Sequence, residues 1–513
     1  VHEEAPAGAG ALRALEDLPG PRSLPLLGNV LDITPKECHI LWADWARGYG
    51  PLFVFRVGTT RILTVADAEL IQQLLRERPE RFRRWRKMEE IAREIQGNGL
   101  FTAEGARWRR ERKFVMHALN SAHVREFIPR LEQVVGRLRR KWWRAALSGV
   151  PVDAHFDLMR FTVDVTTGLV FGRDLNTLEE RVDPIQNHLD KLFPAIARRQ
   201  TALFPYWRYV RLPRDRELDA AVAQVRTVLD RLIAEARSRM SAGSKPCNFL
   251  EALVSAQEQG EPAFDDDEIS NNLMTLLLAG EDTTANSLSY MMHFLMEHPE
   301  AQAALQAEVD ELLGASDRPW QEAGTMERMR YAEAVANESM RLKPVGAHLF
   351  LEPNEDVAVG GVRVPRGTPV LVLNGHVGSL EDNFTRATEF RPERWLEDVE
   401  RRGEVHNLKA FMPFGSGPRF CPGRQLAMLQ IKMVLGMLCR DFELVKPPDA
   451  EPLRDMYNFT VGPVNVRALL RPRRAVRLGI DLDLRAGERR IHARPIAFAN
   501  RRVGDRRKGV STV

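Results

Sequence analysis

One cysteine, Cys421, lies in the run Phe414-Gly415-Ser416-Gly417-Pro418-Arg419-Phe420-Cys421-Pro422-Gly423, and a long apolar helical pattern follows at once. Three glycines and two prolines in ten residues exclude a helix or a central strand. They make a tight, pre-shaped loop whose backbone can approach a partner closely. A thiolate at neutral pH needs a helix N-terminus, a nearby cation or a metal. The sequence supplies the first two, in the helix beginning near Gly423 and in Arg419 two residues away. A soft or borderline metal suits such a site, and a haem iron held by one cysteine suits it best.

A second constellation is Ala279-Gly280-Glu281-Asp282-Thr283-Thr284, inside a long apolar helical pattern. Glycine costs about 1 kcal/mol in a helix interior, and paired threonines are mediocre helix formers. An acid beside a hydroxyl in such a helix is costly unless partnered. Small residues at Ala279 and Gly280 leave room for a ligand, toward which Asp282 and Thr283 can pass protons. The competing reading is a local kink with the threonines bonded back to the preceding turn. Glu338 and Arg341 stand at i, i+3 on one helix face, a spacing common to plain surface pairs. Trp108 and Arg112 also share a helical face; an indole donor with a guanidinium suits a carboxylate, and a basic solvated helix is the alternative.

These residues require elements to position them. The longest helical pattern runs from about Asp266 to Met296 and stops before Pro299; others cover about 327–343 and 423–440. Residues 104–314 read as nearly all helical. Leu52–Val57 and Arg61–Val65 read as a hairpin, Asp67 as the cap of a helix running to about Arg78, and residues 79–103 as irregular. Short strands are expected in 348–374 and again before 470. The fold class is therefore mainly α with small β-sheets.

At 513 residues and 44% apolar, the chain can bury a large core. Cys38, Cys247, Cys421 and Cys439 lie far apart with no C-x-x-C pair, which excludes a disulfide framework and a zinc knuckle. The first two and Cys439 read as small buried residues in a reducing compartment. No run of about eighteen apolar residues and no signal pattern is present, so a cytoplasmic protein without a transmembrane anchor is expected. The net charge of +4 resides in the tail, where residues 475–513 hold ten Lys/Arg against four Asp/Glu. This tail reads as a mobile, solvated extension rather than a nucleic-acid arm.

Taken together and in this order, the segments resemble the cytochrome P450 family of haem-thiolate monooxygenases, soluble bacterial-type members in particular. The pattern F-x-x-G-x-R-x-C-x-G is met at Phe414, Gly417, Arg419, Cys421 and Gly423. A-G-x-D-T-T is met at Ala279, Gly280, Asp282, Thr283 and Thr284, E-x-x-R at Glu338 and Arg341, and W-x-x-x-R at Trp108 and Arg112. The resemblance implies one domain over 18–474, after an extension over 1–17 and before the tail. It implies haem b between the long central helix and the cysteine-loop helix, with Cys421 as axial thiolate, favouring O–O cleavage. Arg419, Trp108 and Arg112 would hold the propionates, Phe414 would pack beside the sulfur, and Ala279 and Gly423 would flank the haem. Asp282 and Thr283 would relay protons to oxygen, and Glu338, Arg341 and Arg394 would form a structural triad.

Two departures stand out. The propionate-binding arginine usual about ten residues after the E-x-x-R motif is replaced by Leu351, with His348 nearby, and Gly375–Asp382 lacks the usual Arg-Asp pair. The implied reaction inserts one atom of O2 into a lipophilic small molecule such as a fatty acid, terpenoid or steroid. Its pocket would be lined by 79–103, Leu276–Thr284 and Val345–Phe350, with 204–210 as a lid. NAD(P)H would supply electrons indirectly, through ferredoxin and its reductase or a flavodoxin, to a monomer that docks them on Arg107–Lys113, Arg424 and Lys432. A haem-thiolate peroxygenase or isomerase, and a non-catalytic haem sensor, are the alternatives; the Asp282-Thr283 pair argues against the first.

Overall fold

The computed structural model describes residues 12–179, 188–189, 191–258, 264–314, 320, 324–396 and 403–473. The basic tail and the first eleven residues lie outside them. Of the expected N-terminal extension, Arg13 donates its backbone N–H to Gly361 O at 3.0 Å and Leu15 is buried, so residues 13–17 pack on the main body.

The longer helices are α1 (Cys38–Tyr49), α2 (Ala68–Arg76), α3 (Arg86–Glu94), α4 (Gly105–Ala118), α5 (Ile128–Ser148), α6 (Ala154–Phe171), α7 (Leu192–Thr201), α8 (Pro213–Ser241), α9 (Asp266–Glu297), α10 (Pro299–Leu313), α11 (Arg330–Leu342) and α12 (Arg424–Asp441). Helix α9 starts where Asp265 accepts from Glu268 N at 2.7 Å. Acidic residues at 266–268 suit the positive end of the helix dipole, and His298 ends the helix before Pro299. It is buried on nearly every side, the mark of a central helix. Helix α6 lies against it so closely that a Cβ on Gly280 would stand 2.5 Å from Thr166 Oγ1. Gly280 thus serves helix–helix contact, and the ligand space expected beside it falls to Ala279.

A mixed five-stranded sheet flanks the helices. Strands β1 (Leu52–Val57) and β2 (Thr60–Val65) form the expected hairpin. The order is β1, β2, β5 (Val370–Val372), β4 (Leu349–Pro353), β3 (Phe82–Arg84). Strand β2 runs parallel to β5, and the other pairs are antiparallel. In this register Arg84 stands opposite Leu351. A separate hairpin pairs Arg454–Asn458 with Thr460–Val464 around Phe459, whose φ is +78°.

The 79–103 stretch is not irregular, since it contains β3 and α3. Met88, Ile91, Ala92 and Ile95 form one buried stripe at helical spacing, interleaved with charged residues that hide it in the sequence. Asp67 does cap α2, accepting from Leu70 N at 2.8 Å, but the helix ends at Arg76 and leaves Arg78 beyond it.

Candidate functional site

The cysteine loop is closed by main-chain bonding, Cys421 N donating to Phe414 O at 2.9 Å. Gly415 and Gly417 have φ of +74° and +69°, a region where a side chain is strained. Gly417 also admits no Cβ, which would lie 2.4 Å from Leu75 O at the end of α2. Gly423 is the N-cap of α12, and a Cβ there would make ordinary contact with Cys421 Sγ, at 3.8 Å. Burial pushes the Cys421 thiol up, opposed by the N–H groups of Gly423 and Arg424 and by the charge of Arg112. The helix start and the cation therefore both face the sulfur, but the cation is Arg112 rather than Arg419. Arg112 donates to Phe420 O at 2.5 Å, tying α4 to the residue before the cysteine.

The other cysteines carry no such apparatus. Burial raises Cys38 and Cys439 to about 12, and the half-buried Cys247 donates its S–H to Glu251 at 3.0 Å.

On α9, Ala279 is exposed and Thr283, one turn on, is half-buried, while Leu277, Leu278, Asp282 and Thr284 are buried. The accessible side of this stretch is therefore Leu276, Ala279, Gly280 and Thr283, with Ala279 its exposed member. Thr283 Oγ1 donates to Ala279 O at 2.9 Å, the back-bonding that competes with a catalytic reading of the motif. Asp282 lies about a quarter-turn away. Its carboxylate accepts from Thr460 Oγ1 at the hairpin tip, where Asn286 also donates to Thr460 at 3.3 Å. Acid and hydroxyl are adjacent in sequence but differ in exposure.

Trp108 and Arg419 come together, the guanidinium carbon 4.7 Å from the indole centroid. Arg419 donates to Ala103 O at 2.7 Å and to Glu104 at 2.5 Å. Arg84 joins them: its backbone N–H donates to Glu104 at 2.9 Å, its Nε to Phe101 O at 2.9 Å, and its guanidinium lies 3.6 Å above the Phe101 ring. Sequence reasoning passed over Arg78, Arg84 and Glu104. Their only signal was the unusual density of arginine between 76 and 86.

Glu338, Arg341 and Arg394 do form one buried network, each side chain 0% exposed. Arg341 bonds both carboxylate oxygens of Glu338, at 2.9 and 2.8 Å, and Arg394 bonds one at 2.9 Å. Trp395 Nε1 and Arg391 N complete the carboxylate, at 3.0 and 2.9 Å. The guanidiniums spend their remaining protons on the carbonyls of Gly378, Ala387, Glu389, Thr385 and Arg386. Burial alone would raise the Glu338 carboxyl, yet it is lowered overall because hydrogen bonds and charge from Arg341 and Arg394 outweigh it. The Trp395 ring packs at a tilt against Phe411, centroids 4.4 Å apart, three residues before Phe414, which couples the network to the cysteine loop.

A cavity of about 230 Å³ lies among Trp42, Phe55, Trp85, Phe204, Trp207 and Phe350. It takes in parts of the expected 79–103, 204–210 and Val345–Phe350 linings but not Leu276–Thr284. Within 204–210, Trp207 is buried and donates to Glu94 at 2.7 Å, while Arg208 bonds Glu94 and Glu90 at 2.6 and 2.9 Å. The expected lid is thus pinned to α3. His348 packs among Trp42 and Tyr457, both rings at 4.8 Å. Burial pushes it down to about 3, so it is neutral and unsuited to replace a propionate-binding arginine.

The site thus combines a single-cysteine loop that caps α12 with a small-residue stretch of the central helix α9. A family model for cytochrome P450 matches residues 18–470, and the chain belongs to that family. The mitochondrial 25-hydroxyvitamin D-1 alpha hydroxylase of Homo sapiens is 30% identical over 91% of this chain and 93% of its own. Cyclooctatin synthase of Streptomyces melanosporofaciens is 29% identical, covering 87% and 94%. Cytochrome P450 3A6 of Oryctolagus cuniculus is 26% identical, covering 83% and 85%. The crystal structure of a cytochrome P450 (CYP102L1) superposes with a TM-score of 0.78 at 24% identity, covering 89% of this chain and 99% of its own, which bears on the fold.

The chain is accordingly an oxidoreductase of the P450 monooxygenase class, a family that carries haem on a cysteine thiolate and uses O2. The residues present fit a haem. They offer a thiol flanked by N–H groups, an accessible Ala279–Thr283 stripe, and buried guanidinium N–H groups on Arg78 and Arg419 with no acceptor among the described residues. Among the described residues, no helix is long and apolar enough to cross a membrane.

Proposed function

We propose that this chain hydroxylates or epoxidises a lipophilic small molecule, with Cys421 as the haem ligand and Thr283 as the proton-handling hydroxyl. The single observation that carries this reading is the Cys421 sulfur, buried yet faced by the N–H groups of Gly423 and Arg424 and by the charge of Arg112. The bound haem supplies the activation of O2; the side chains supply the rest. The Cys421 sulfur donates electron density, helped to its thiolate form by Gly423 N–H, Arg424 N–H and Arg112. Thr283 holds its proton on Ala279 O; breaking that bond frees the hydroxyl to donate outward from Oγ1. Asp282, adjacent in sequence and held by Thr460, would reload Thr283 only after taking up a proton itself, since its carboxylate accepts the Thr460 hydrogen bond. The aromatic walls of the 230 Å³ cavity, Trp42, Phe55, Trp85, Phe204, Trp207 and Phe350, suit an apolar guest.

Electrons come from separate partners, a ferredoxin with its reductase or a flavodoxin. Arg109, Lys113 and Arg424 are exposed and suit an acidic partner, Arg109 being shared with the exposed Glu80 at 2.9 Å. Lys432 does not belong to this face: it is buried, donating to Met326 O at 2.9 Å and Glu333 at 2.7 Å. Arg107 and Arg110 are likewise engaged, with Glu111 and Glu268.

The test is a library of lipophiles screened by haem spin-state shift, with hits turned over under labelled O2 and a ferredoxin system. One labelled oxygen atom per product molecule is expected. Product that carries only oxygen from water or peroxide contradicts the assignment.

A further inference from the structure

The position where the family commonly places a propionate-binding arginine holds Leu351, buried in the core. Across the strand ladder, directly opposite Leu351, stands Arg84. Arg84 is 7% exposed as a residue, and among the described residues its guanidinium bonds only Phe101 O, through Nε. Arg78 lies close enough to Arg419 and Glu104 to feel both charges. It is 3% exposed, and its Nε and Nη2 are buried without any acceptor. The Nε of Arg419 is buried and unpaired as well.

Three buried guanidiniums therefore surround one carboxylate, Glu104. Of the neighbouring cations, Arg83 and Arg86 are answered by Glu89 and Glu352, and Arg112, which also acts on Arg419, is answered by the Cys421 sulfur. A cluster with more buried positive charge than negative, and with orphan N–H donors, is unstable unless an anion completes it. The excess is two charges, and haem carries two propionates.

We infer that Arg84 and Arg78, with Arg419, form the propionate-binding site of this chain, Arg84 taking over across the ladder the role left vacant at Leu351. This rests on the reading of Cys421 as the haem ligand. Glu104 orients the cluster by fixing Arg419 and the Arg84 backbone, so it is a positioning residue. Burial, reinforced by the charge of Arg419, pushes Arg78 down to about 9, the direction that a bound anion reverses.

The experiment uses the haem-loaded full chain. Resonance Raman spectra of wild type, Arg84→Met, Arg78→Met and Arg84→Lys report the propionate-bending bands, and transfer of haem to excess apomyoglobin reports retention. Each Met variant is expected to shift a propionate band and to speed haem transfer about tenfold, the worth of one charge-assisted hydrogen bond. Arg84→Lys should keep most of the retention, and the carbon monoxide band should be unchanged throughout. Wild-type protein loaded with the dimethyl ester of iron protoporphyrin should release it at least about tenfold faster than native haem. Unshifted propionate bands in the Met variants, or equal release of ester and native haem by wild type, overturn the inference. Loss of the thiolate-type carbon monoxide band in wild type would instead overturn the reading beneath it.

Discussion

Two buried arginine clusters touch the cysteine loop, one through Trp395 and Phe411 and the other through Arg419, and they are built on opposite terms. Around Glu338, two guanidiniums meet one carboxylate, and main-chain carbonyls take up the spare protons. Around Glu104, three guanidiniums meet one carboxylate, and N–H groups on Arg78 and Arg419 stay unpaired and buried. Both would be costly as isolated charges. The first is closed by the protein itself and needs nothing more; the second is complete only when it receives an anion. Burial of charge alone therefore does not distinguish a brace from a binding site, whereas the account of each hydrogen-bonding group does.

The comparison is broken most severely at Glu338. Replacing it with Ala leaves Arg341 and Arg394 uncompensated in the core, at about 3–5 kcal/mol. The variant should yield little haem-loaded protein and a much lower melting temperature, both measurable on purified material. The same substitution at Glu104, Glu104→Ala, should cost only about 1–2 kcal/mol in the haem-loaded protein. The carbonyls of Phe101 and Ala103 still hold Arg84 and Arg419, and a bound anion supplies the charge. Equal losses at the two sites, measured by thermal unfolding, would erase the distinction.

The pH dependence sharpens it further. The Glu338 carboxyl is lowered on folding, so its contribution is fully present above the ordinary carboxylate pKa and fades as pH falls through the lowered folded value. Acid unfolding of wild type should show this proton uptake, and Glu338→Gln should lose that part of the slope. Smaller again is the expected effect of Thr460→Val, which removes the anchor of Asp282 while leaving Thr283 in place. Coupled product formation should fall a few-fold, on the order of one hydrogen bond's worth, and peroxide release should rise. Smallest is the loss of charge at Arg109, Lys113 and Arg424. It should reduce the rate of reduction by an acidic partner and flatten its salt dependence, with little change at high ionic strength.

The closed cluster was legible from the chain and the open one was not. Glu338 and Arg341 are linked by i, i+3 spacing on a helix, and Arg394 lies in a loop with a recognisable pattern. The cysteine loop was equally plain, because glycine and proline fix backbone shape locally. Helix α9 was expected from Asp266 to Met296 and ends one residue later, at Glu297, for the same reason: acidic start and proline stop are local signals. Arg78 and Arg84, by contrast, belong to a run of alternating charges that reads as solvated surface. Only the strand pairing of 82–84 with 351–353 and the approach of the cysteine loop bury them. Lys432 erred the same way: a lysine on α12 reads as surface until the helix proves buried nearly all round. The roles of Asp282 and Thr283 were expected as a pair, yet tertiary contact with Thr460 separates them, which no spacing within the helix could reveal.

The central claim is that Cys421 carries the haem as a thiolate. The most direct measurement is the carbon monoxide difference spectrum of the reduced, purified full chain, beside Cys421→Ser. Wild type should show the red-shifted Soret band of thiolate-ligated haem, and the serine variant should lose it while Cys38, Cys247 and Cys439 remain in place. A folded wild-type protein that binds haem without that band, or a serine variant that keeps it, contradicts the account.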